Sequence, residues 1–335
     1  MVKKLFKNRG GLHNRVTRRL RLEPFTLAEC EAFFAYKGIS YSRRLIADAY
    51  MVFGGIPFYL DLFEPGQSVV QSIDALCFSA NAPLKDEFEE LYASLYEHEV
   101  NHVAVVHALA SKRCGLTRDE IIEATGLSSG GSLTDVLKDL EQSGFIRRYD
   151  DFCGSTDKYL YQLLDLFSFF YLTFMTKSRH QDRHFWSNHN GKGSYNAWSG
   201  LSFELLCLTH VDQIKDGLGI SGVSTTVSSW RDLSPGSRLQ IDLVIDRRDG
   251  IINLVEGKYT FKSYEIDKRT AEKISIRKEA FIAHTKTRKA VHSILISAAG
   301  AKTNAHSHVV EKCLRSMTCS GSAMSNEHQF MERTL

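Results

Sequence analysis

The chain has 335 residues, of which 43% are hydrophobic and 24% are charged, with a formal net charge of +3 and a pI near 8.4. This composition predicts a globular protein with room for two or three domains, and its mild positive charge permits nucleic-acid binding without arguing for it. The 7 cysteines are scattered without a CxxC pair and no apolar run is long enough to span a membrane, so we expect a cytoplasmic protein without disulfides, a zinc site or a membrane anchor.

Residues 1–24 form a basic segment with no acidic residue before Glu23. Such a run is typical of a basic arm that binds nucleic acid. The alternative is that the segment begins in the middle of a larger domain. Its alternating part, VTRRLRLEPF, predicts a strand that leads into a proline.

Residues 25–100 predict a helical region. Thr26 is followed three residues later by Glu29, and an apolar face then extends to Gly38, which together indicate a capped helix. Further helical patterns follow, among them the amphipathic segment 87–99.

Residues 101–164 have the order of a winged helix, with three short helices followed by the strands FIRRY and KYLYQLLD. The third helix would be the recognition element if this module binds DNA, and it carries Lys138 among acidic residues. Arg147 and Arg148 near the wing are the better candidates for phosphate contacts. A DNA contact and a role as spacer or protein-contact module both remain open.

Residues 165–194 predict a connection between domains. The apolar and aromatic segment 163–177 indicates a buried packing helix. His180 and His184 follow, one helical turn apart with Asp182 between them, and they would need a third ligand to bind metal. A polar linker surface is the preferred interpretation.

Residues 195–300 predict a mixed α/β domain, because a helix, three strands, a helix and a strand follow one another. Its centre is the segment Gln240–Tyr259, in which two apolar strands flank a turn that ends at Gly250. Residues 301–335 are polar without a clear period, so we expect an irregular tail.

Three of the charged residues in this hairpin lie where a buried strand should be apolar: Asp242, Glu256 and Lys258. Burying charge is costly unless it is paired or binds metal. A two-residue loop would direct the two carboxylates to opposite faces, whereas a three-residue loop with a left-handed Gly250 would place Asp242 opposite Glu256. Adjacent carboxylates suit Mg²⁺ or Mn²⁺, and a nearby lysine can orient or deprotonate a metal-bound water. The alternative is a solvated hairpin face with an ordinary Lys–Glu pair.

The element order, together with Glu204, Asp242 and the ExK motif at 256–258, resembles the PD-(D/E)xK, restriction-endonuclease-like, nuclease superfamily. Almost the whole chain further resembles the archaeal and bacterial AAA-type ATPases whose C-terminal domain is called DUF234. The segments that carry this second resemblance, in chain order, are LHNR (12–15), LEPFTLAE (22–29), GGIPFYL (54–60), WSGLSFELLC (198–207), QIDLVIDRRDGIINLVEGKY (240–259) and ISAAGAKTN, which ends at Asn304.

The resemblance implies a multidomain α and α/β architecture. Its parts would be the end of a truncated AAA ATPase core (1–24), a helical ATPase lid (25–100), a winged helix (101–164), a connecting helix and linker (165–194), and a nuclease-like αβββαβ domain (195–300), before the irregular tail (301–335). Asp242 and Glu256 would bind Mg²⁺ or Mn²⁺, Lys258 would handle the water, Glu204 would complete the site, and Gln240 would hold a phosphate or the metal shell. From the residues alone, Glu204 is either a third member of a metal site or a surface residue.

The chain departs from that family in three ways. One is the tail after Asn304, which differs from the expected closing strand and helix. The chain also has no GxxxxGK[ST] motif, so we expect this chain alone neither to bind nor to hydrolyse ATP. Gly257 stands in the ExK motif where the family usually has a larger residue, which predicts a gap or a bend in the strand.

Three functions follow from these patterns. The first is a DNA-associated protein with a Mg²⁺-dependent nuclease domain, in which DNA is the partner. The second is a non-catalytic module that binds DNA or a protein through a vestigial nuclease fold. The third is an ATPase subunit that borrows its nucleotide site from a partner chain with a complete P-loop.

Overall fold

The computed structural model describes residues 22–112, 115–150, 152, 159–178, 182–189, 191–232, 234, 236–237 and 239–315. The predicted basic arm and its strand up to residue 21, His180, and the last part of the predicted tail, residues 316–335, lie outside these described residues. Within them the protein is mixed α/β.

The first described region is helical, as predicted. Thr26 and Glu29 form the expected capping box, in which each side chain accepts a hydrogen bond from the backbone N–H of the other residue. The helices are α1 (Leu27–Tyr36), α2 (Arg43–Phe53), α3 (Pro57–Asp61), α4 (Val69–Ile73), which continues as a π-helical turn (Asp74–Phe78), and α5 (Glu87–Leu95).

The second region has the predicted order of three helices followed by two strands, with one additional short strand. Its elements are α6 (Glu99–Ala110), β1 (Leu116–Thr117), α7 (Arg118–Thr125), α8 (Gly131–Gln142), β2 (Ile146–Asp150) and β3 (Tyr159–Leu163). The three strands form an antiparallel sheet in the order β1-β3-β2.

The connecting region contains the buried packing helix that the apolar segment predicted. It consists of α9 (Leu166–Phe174), a 3₁₀ turn (Met175–Lys177) and α10 (Phe185–His189). Phe170 is fully buried and meets Trp186 and Trp198 edge to face. This aromatic contact packs α9 against the beginning of the α/β region.

The α/β region contains the predicted helix, three strands, helix and strand in that order, together with a second helix and further short strands. Its elements are α11 (Gly193–Thr209), α12 (Val211–Leu218), β4 (Thr225–Arg231), β5 (Gln240–Arg247), β6 (Ile251–Lys258), β7 (Tyr264–Glu265), α13 (Lys268–Thr285), β8 (Ala290–Ser297), β9 (Ala301–Lys302), a 3₁₀ turn (Ser307–Val309) and β10 (Lys312–Arg315).

The main sheet has five strands in the order β10-β8-β6-β5-β4. Strands β10, β8 and β6 run parallel, while β6, β5 and β4 are antiparallel. Helix α11 packs on one face, where Phe203 belongs to the main core, and α13 packs on the other face, where Phe281 contacts Trp230. The hairpin therefore lies between two helical layers.

Two sequence predictions differ from the structure here. The first helix predicted for this region is two helices, because the backbone leaves helical geometry at His210, where the ring accepts a hydrogen bond from Leu27 N. Residues 301–315 were predicted to be irregular, but Lys312–Arg315 pairs in parallel with β8. Residues 312–315 contain too few apolar residues to indicate a strand by themselves.

None of the helices in the described part of the chain is long and apolar enough to cross a membrane.

Candidate functional site

The β5–β6 hairpin has a three-residue loop, which is the alternative expected to place Asp242 opposite Glu256. Asp246 pairs with Ile252 and Leu243 with Val255, so the loop consists of the three residues ending at Gly250, whose φ is 89°. A left-handed residue at this position is what such a loop requires, and glycine adopts it without a Cβ clash. Of the two registers that the sequence left open, the structure has the one with the three-residue loop, as far as Leu243 and Val255.

A β-bulge in β5 interrupts this register near Asp242. On the β4 side, Ser228 pairs with Val244 and Trp230 with Ile241, so two steps along β4 match three steps along β5. The extra residue falls at Asp242 and Leu243. Because a bulge adds one residue to one strand, the regular alternation of faces is broken at this point.

The bulge turns Asp242 to the face of the sheet that α11 covers. Ile241 packs in the cluster on the α13 face, whereas Gln240 Nε2 donates to Asp242 Oδ1 at 3.1 Å, so these two side chains share the opposite face. Asp242 and Glu204 both line a cleft of about 410 Å³ between α11, α9 and β3, together with apolar side chains and Lys112 at the end of α6.

Glu256 and Lys258 lie on the other face, beneath α13. Lys258 Nζ donates to Glu256 Oε1 at 2.6 Å, and Arg277 Nη1 of α13 donates to Glu256 Oε2. Both carboxylate oxygens of Glu256 are therefore bound to a cation. We call these three residues the two-cation cluster.

The charges of the two-cation cluster hold Glu256 ionised. Burial raises the pKa of the Glu256 carboxyl, but the charges of Lys258 and Arg277 and their hydrogen bonds outweigh it, so the net pKa lies below its ordinary value. The carboxylate is thus a permanent anion that neutralises one of its two neighbours.

Gly257 lies between Glu256 and Lys258, but on the face of the sheet that α11 covers. The strand does not bend out of the sheet at this position. Gly257 pairs with Ile296 of β8, and β6 continues to Lys258 in register with Ser297. A methyl group added at Gly257 would point toward α11, 3.4 Å from Phe203 Cδ1 and 3.7 Å from Glu204 Cγ. The predicted gap is therefore the space of about one methyl group, and the predicted bend is absent.

The residues of the predicted metal site do not fit a metal ion in this arrangement. Asp242 and Glu204 lie under α11, while Glu256 lies under α13 with both oxygens engaged by cations. Among the described residues there is no group of three or more His, Cys, Asp or Glu side chains placed to hold a metal ion. Mg²⁺ and Mn²⁺ need several oxygen ligands that surround one point.

The predicted phosphate contacts have different surroundings. Lys138 is exposed on α8, and Arg148 is exposed beside Glu141 at 3.7 Å. Arg147 is half-buried and points inward: its Nε donates to Gln162 Oε1 at 2.8 Å and its Nη2 to the Asp242 carbonyl at 3.4 Å. Arg147 therefore ties the wing strand to the bulge of β5.

Arg277 was not identified from the sequence. Ala271, Ile274 and Phe281 form the buried stripe of α13, and Arg277 lies next to the position where that stripe would continue. The sequence signal for Arg277 was that a charged residue falls beside the apolar face of the helix. Without the tertiary structure nothing indicated that it meets Glu256.

A polar network next to the hairpin was also missed. The Tyr259 hydroxyl donates to Asp48 of α2 and lies 3.4 Å from the Tyr195 hydroxyl, while Arg44 lies 3.6 Å from Asp48 and 4.0 Å above the Phe261 ring. Burial raises the pKa of Asp48, although Tyr259 and Arg44 partly oppose it. This network joins the helical region to the residue directly after Lys258.

No protein-family model matches the chain, and neither a curated protein nor a solved structure is significantly similar to it. The likeness to AAA-type ATPases with a DUF234 domain and to PD-(D/E)xK nucleases therefore rests on the sequence motifs alone.

Proposed function

We propose that the protein is DNA-associated and that its C-terminal α/β domain is a nuclease-type domain acting as a non-catalytic binding module. The observation that carries the proposal is the β5–β6 hairpin, which presents an ExK motif between two helical layers while the bulge turns Asp242 away from Glu256. The motif supports the nuclease relationship, and the separation of the carboxylates supports binding without hydrolysis.

The position of the three-stranded module supports the same proposal. Phe152 N donates to the Ser229 carbonyl of β4 at 2.7 Å, and the Phe152 ring packs 5.0 Å from the Phe281 ring. Arg148 and Lys138 remain exposed on this module. A winged-helix module attached to the edge of the sheet would extend a surface for a nucleic-acid backbone.

A Mg²⁺- or Mn²⁺-dependent nuclease is the second candidate. It is favoured by the register of the hairpin, which brings Asp242 and Glu256 to adjacent strands with Lys258 two residues further on. This candidate requires Asp242 to turn to the face of Glu256, because the described arrangement supplies no shared position for a metal.

The test is a pair of assays on the purified protein. Fluorescence anisotropy with labelled duplex and single-stranded DNA, in EDTA and over a range of salt concentrations, should detect binding that weakens with salt and does not need metal. Failure to bind either DNA in low salt would reject the proposal.

The second assay measures plasmid and single-strand cleavage in Mg²⁺ or Mn²⁺, beside an Asp242→Ala, Lys258→Ala double variant. We expect no metal-dependent cutting. Cutting by the wild type that is lost in the double variant would establish the nuclease candidate instead.

A further inference from the structure

We propose that the two-cation cluster is a phosphate-binding site, in which Glu256 serves as the internal counter-ion of Lys258 and Arg277. The inference rests on the proposed DNA association for its ligand, a phosphodiester of the DNA backbone. It assigns to Glu256 a role opposite to that of a metal ligand.

The charge balance of the cluster leaves one cation in excess. Lys258 and Arg277 both bind to Glu256, while Lys278, the next residue of α13, is neutralised by Glu311 at 2.6 Å. The side chains of Glu256, Lys258 and Arg277 are 25%, 31% and 29% exposed, so an anion in solution can reach the donors. A partly buried excess cation attracts an anion more strongly than a fully solvated one.

The cluster borders an open groove between α13 and the sheet. Glu256, Arg277 and Ser293 line this groove, with Ile274 and Ile294 as apolar walls, so the Arg277 side of the cluster faces solvent. The guanidinium of Arg277 has five N–H donors in a planar fork, and its hydrogen bond to Glu256 uses one of its nitrogens. The remaining donors match the geometry of phosphate oxygens.

The sign of one substitution separates this role from metal binding. Glu256→Gln removes a negative charge and keeps the shape of the side chain. If Glu256 is a counter-ion, the change leaves two cations unneutralised and phosphate binding becomes tighter. If Glu256 is a metal ligand through which DNA is held, the wild type does not hold DNA in EDTA through this site, and the same change does not tighten binding there.

The experiment uses the full chain and two probes in EDTA: inorganic phosphate, followed by the shift in melting temperature, and a short labelled DNA duplex, followed by anisotropy at several salt concentrations. The variants are Arg277→Gln, Arg277→Lys and Glu256→Gln. Arg43→Gln, at an exposed arginine of α2 that pairs with Glu31 at 3.1 Å, is the control with the same charge change as Arg277→Gln. Circular dichroism verifies that each variant is folded.

We expect Arg277→Gln to lose the phosphate-induced shift and to reduce the salt slope of DNA binding by about 0.9. Arg277→Lys keeps the charge but loses the planar fork, so it should retain the salt slope of DNA binding and lose part of the phosphate-induced shift. Glu256→Gln should bind both probes several-fold more tightly than the wild type. Arg43→Gln should leave the phosphate-induced shift unchanged.

Weaker phosphate binding in Glu256→Gln, or a folded Arg277→Gln that binds phosphate like the wild type, would overturn the inference. If the wild type binds phosphate with the expected variant pattern but binds no DNA, the cluster is a site for free phosphate and the proposed function fails alone. If DNA binds but Arg277→Gln has no effect on either probe, the inference fails and the proposed function stands.

Discussion

Gly257 is the middle residue of the ExK motif. Because it has no side chain, the strand that carries the motif can lie close to α11. Its neighbours Glu256 and Lys258 face α13, whereas a side chain at 257 would point toward Phe203 and Cys207. Glycine in a strand costs conformational entropy on folding and leaves side-chain contacts unmade. A methyl group at this position would lie 3.4 Å from Phe203 and 3.5 Å from Cys207, which are ordinary van der Waals contacts.

We expect Gly257→Ala to stabilise the protein by about 0.5–1 kcal/mol, because the methyl group fits and the strand loses less entropy on folding. Urea denaturation followed by circular dichroism measures the change in the free energy of unfolding. The control is Gly250→Ala, which should destabilise the protein, since the φ of 89° at Gly250 is strained for any residue with a Cβ. A loss of stability in Gly257→Ala would mean that α11 cannot accommodate the methyl group.

Between elements, His210 joins the start of the helical region to the α/β region. Its Nε2 accepts from Leu27 N at 3.1 Å, at the first turn of α1, so its proton lies on Nδ1, which faces the Leu206 carbonyl at 2.9 Å. The ring also contacts Tyr50 of α2 at 5.0 Å between centroids. The neutral tautomer is therefore part of the packing between α1, α2 and α11.

This arrangement predicts a loss of stability on acidification. Burial lowers the pKa of His210 in the folded state, although the hydrogen bond to Leu206 and the charge of Glu29 partly oppose it. The unfolded chain therefore binds the proton more readily, and the contribution of His210 to stability is complete above the unfolded pKa of about 6.5 and declines as the pH falls below it.

The measurement is the free energy of unfolding of the wild type and of His210→Gln between pH 8 and pH 5, a range chosen to bracket a pKa of about 6.5. The difference in the free energy of unfolding between the wild type and His210→Gln should be constant above neutrality. Below neutrality it should shrink, by at most about 1.4 kcal/mol per pH unit. Exposed His308→Gln is the control and should leave the pH dependence unchanged. A difference that does not vary with pH would show that His210 titrates alike in both states.

On the scale of the whole molecule, the helical region and the α/β region share one core. The main cluster of buried residues extends from Leu27 to Leu314 and includes Phe170 of the connecting helix and Phe203 of α11. The hydrogen bond from Tyr259 to Asp48 adds a buried polar contact between the same two regions. Regions that share a continuous core unfold together, because neither can expose its half of the core alone without a large loss of burial.

We expect a single unfolding transition in urea, with coincident midpoints for far-ultraviolet circular dichroism and for tryptophan fluorescence. Tyr259→Phe should lower the free energy of unfolding by roughly 1–3 kcal/mol and shift both midpoints down together, because the buried carboxylate of Asp48 loses its donor. Tyr36→Phe, at an exposed position, should shift neither midpoint. Two separated transitions in the wild type would contradict a shared core.

The sequence by itself determined the strands of the hairpin and left its loop open between two and three residues. Apolar runs on either side of the turn at Gly250 predicted β5 and β6, and the capping pair Thr26 and Glu29 predicted the start of α1; both are local signals that need no distant partner. The order of helices and strands in the α/β region followed from local patterns of the same kind.

Only the tertiary structure decided how the site residues are distributed. The bulge at Asp242 depends on the pairing of β5 with β4, and the engagement of Glu256 depends on Arg277, which lies 21 residues further along the chain. Contacts between elements that are distant in sequence determine which face a charged side chain takes and which partner neutralises it. For that reason a motif that predicts adjacent carboxylates can fold into one carboxylate held between two cations.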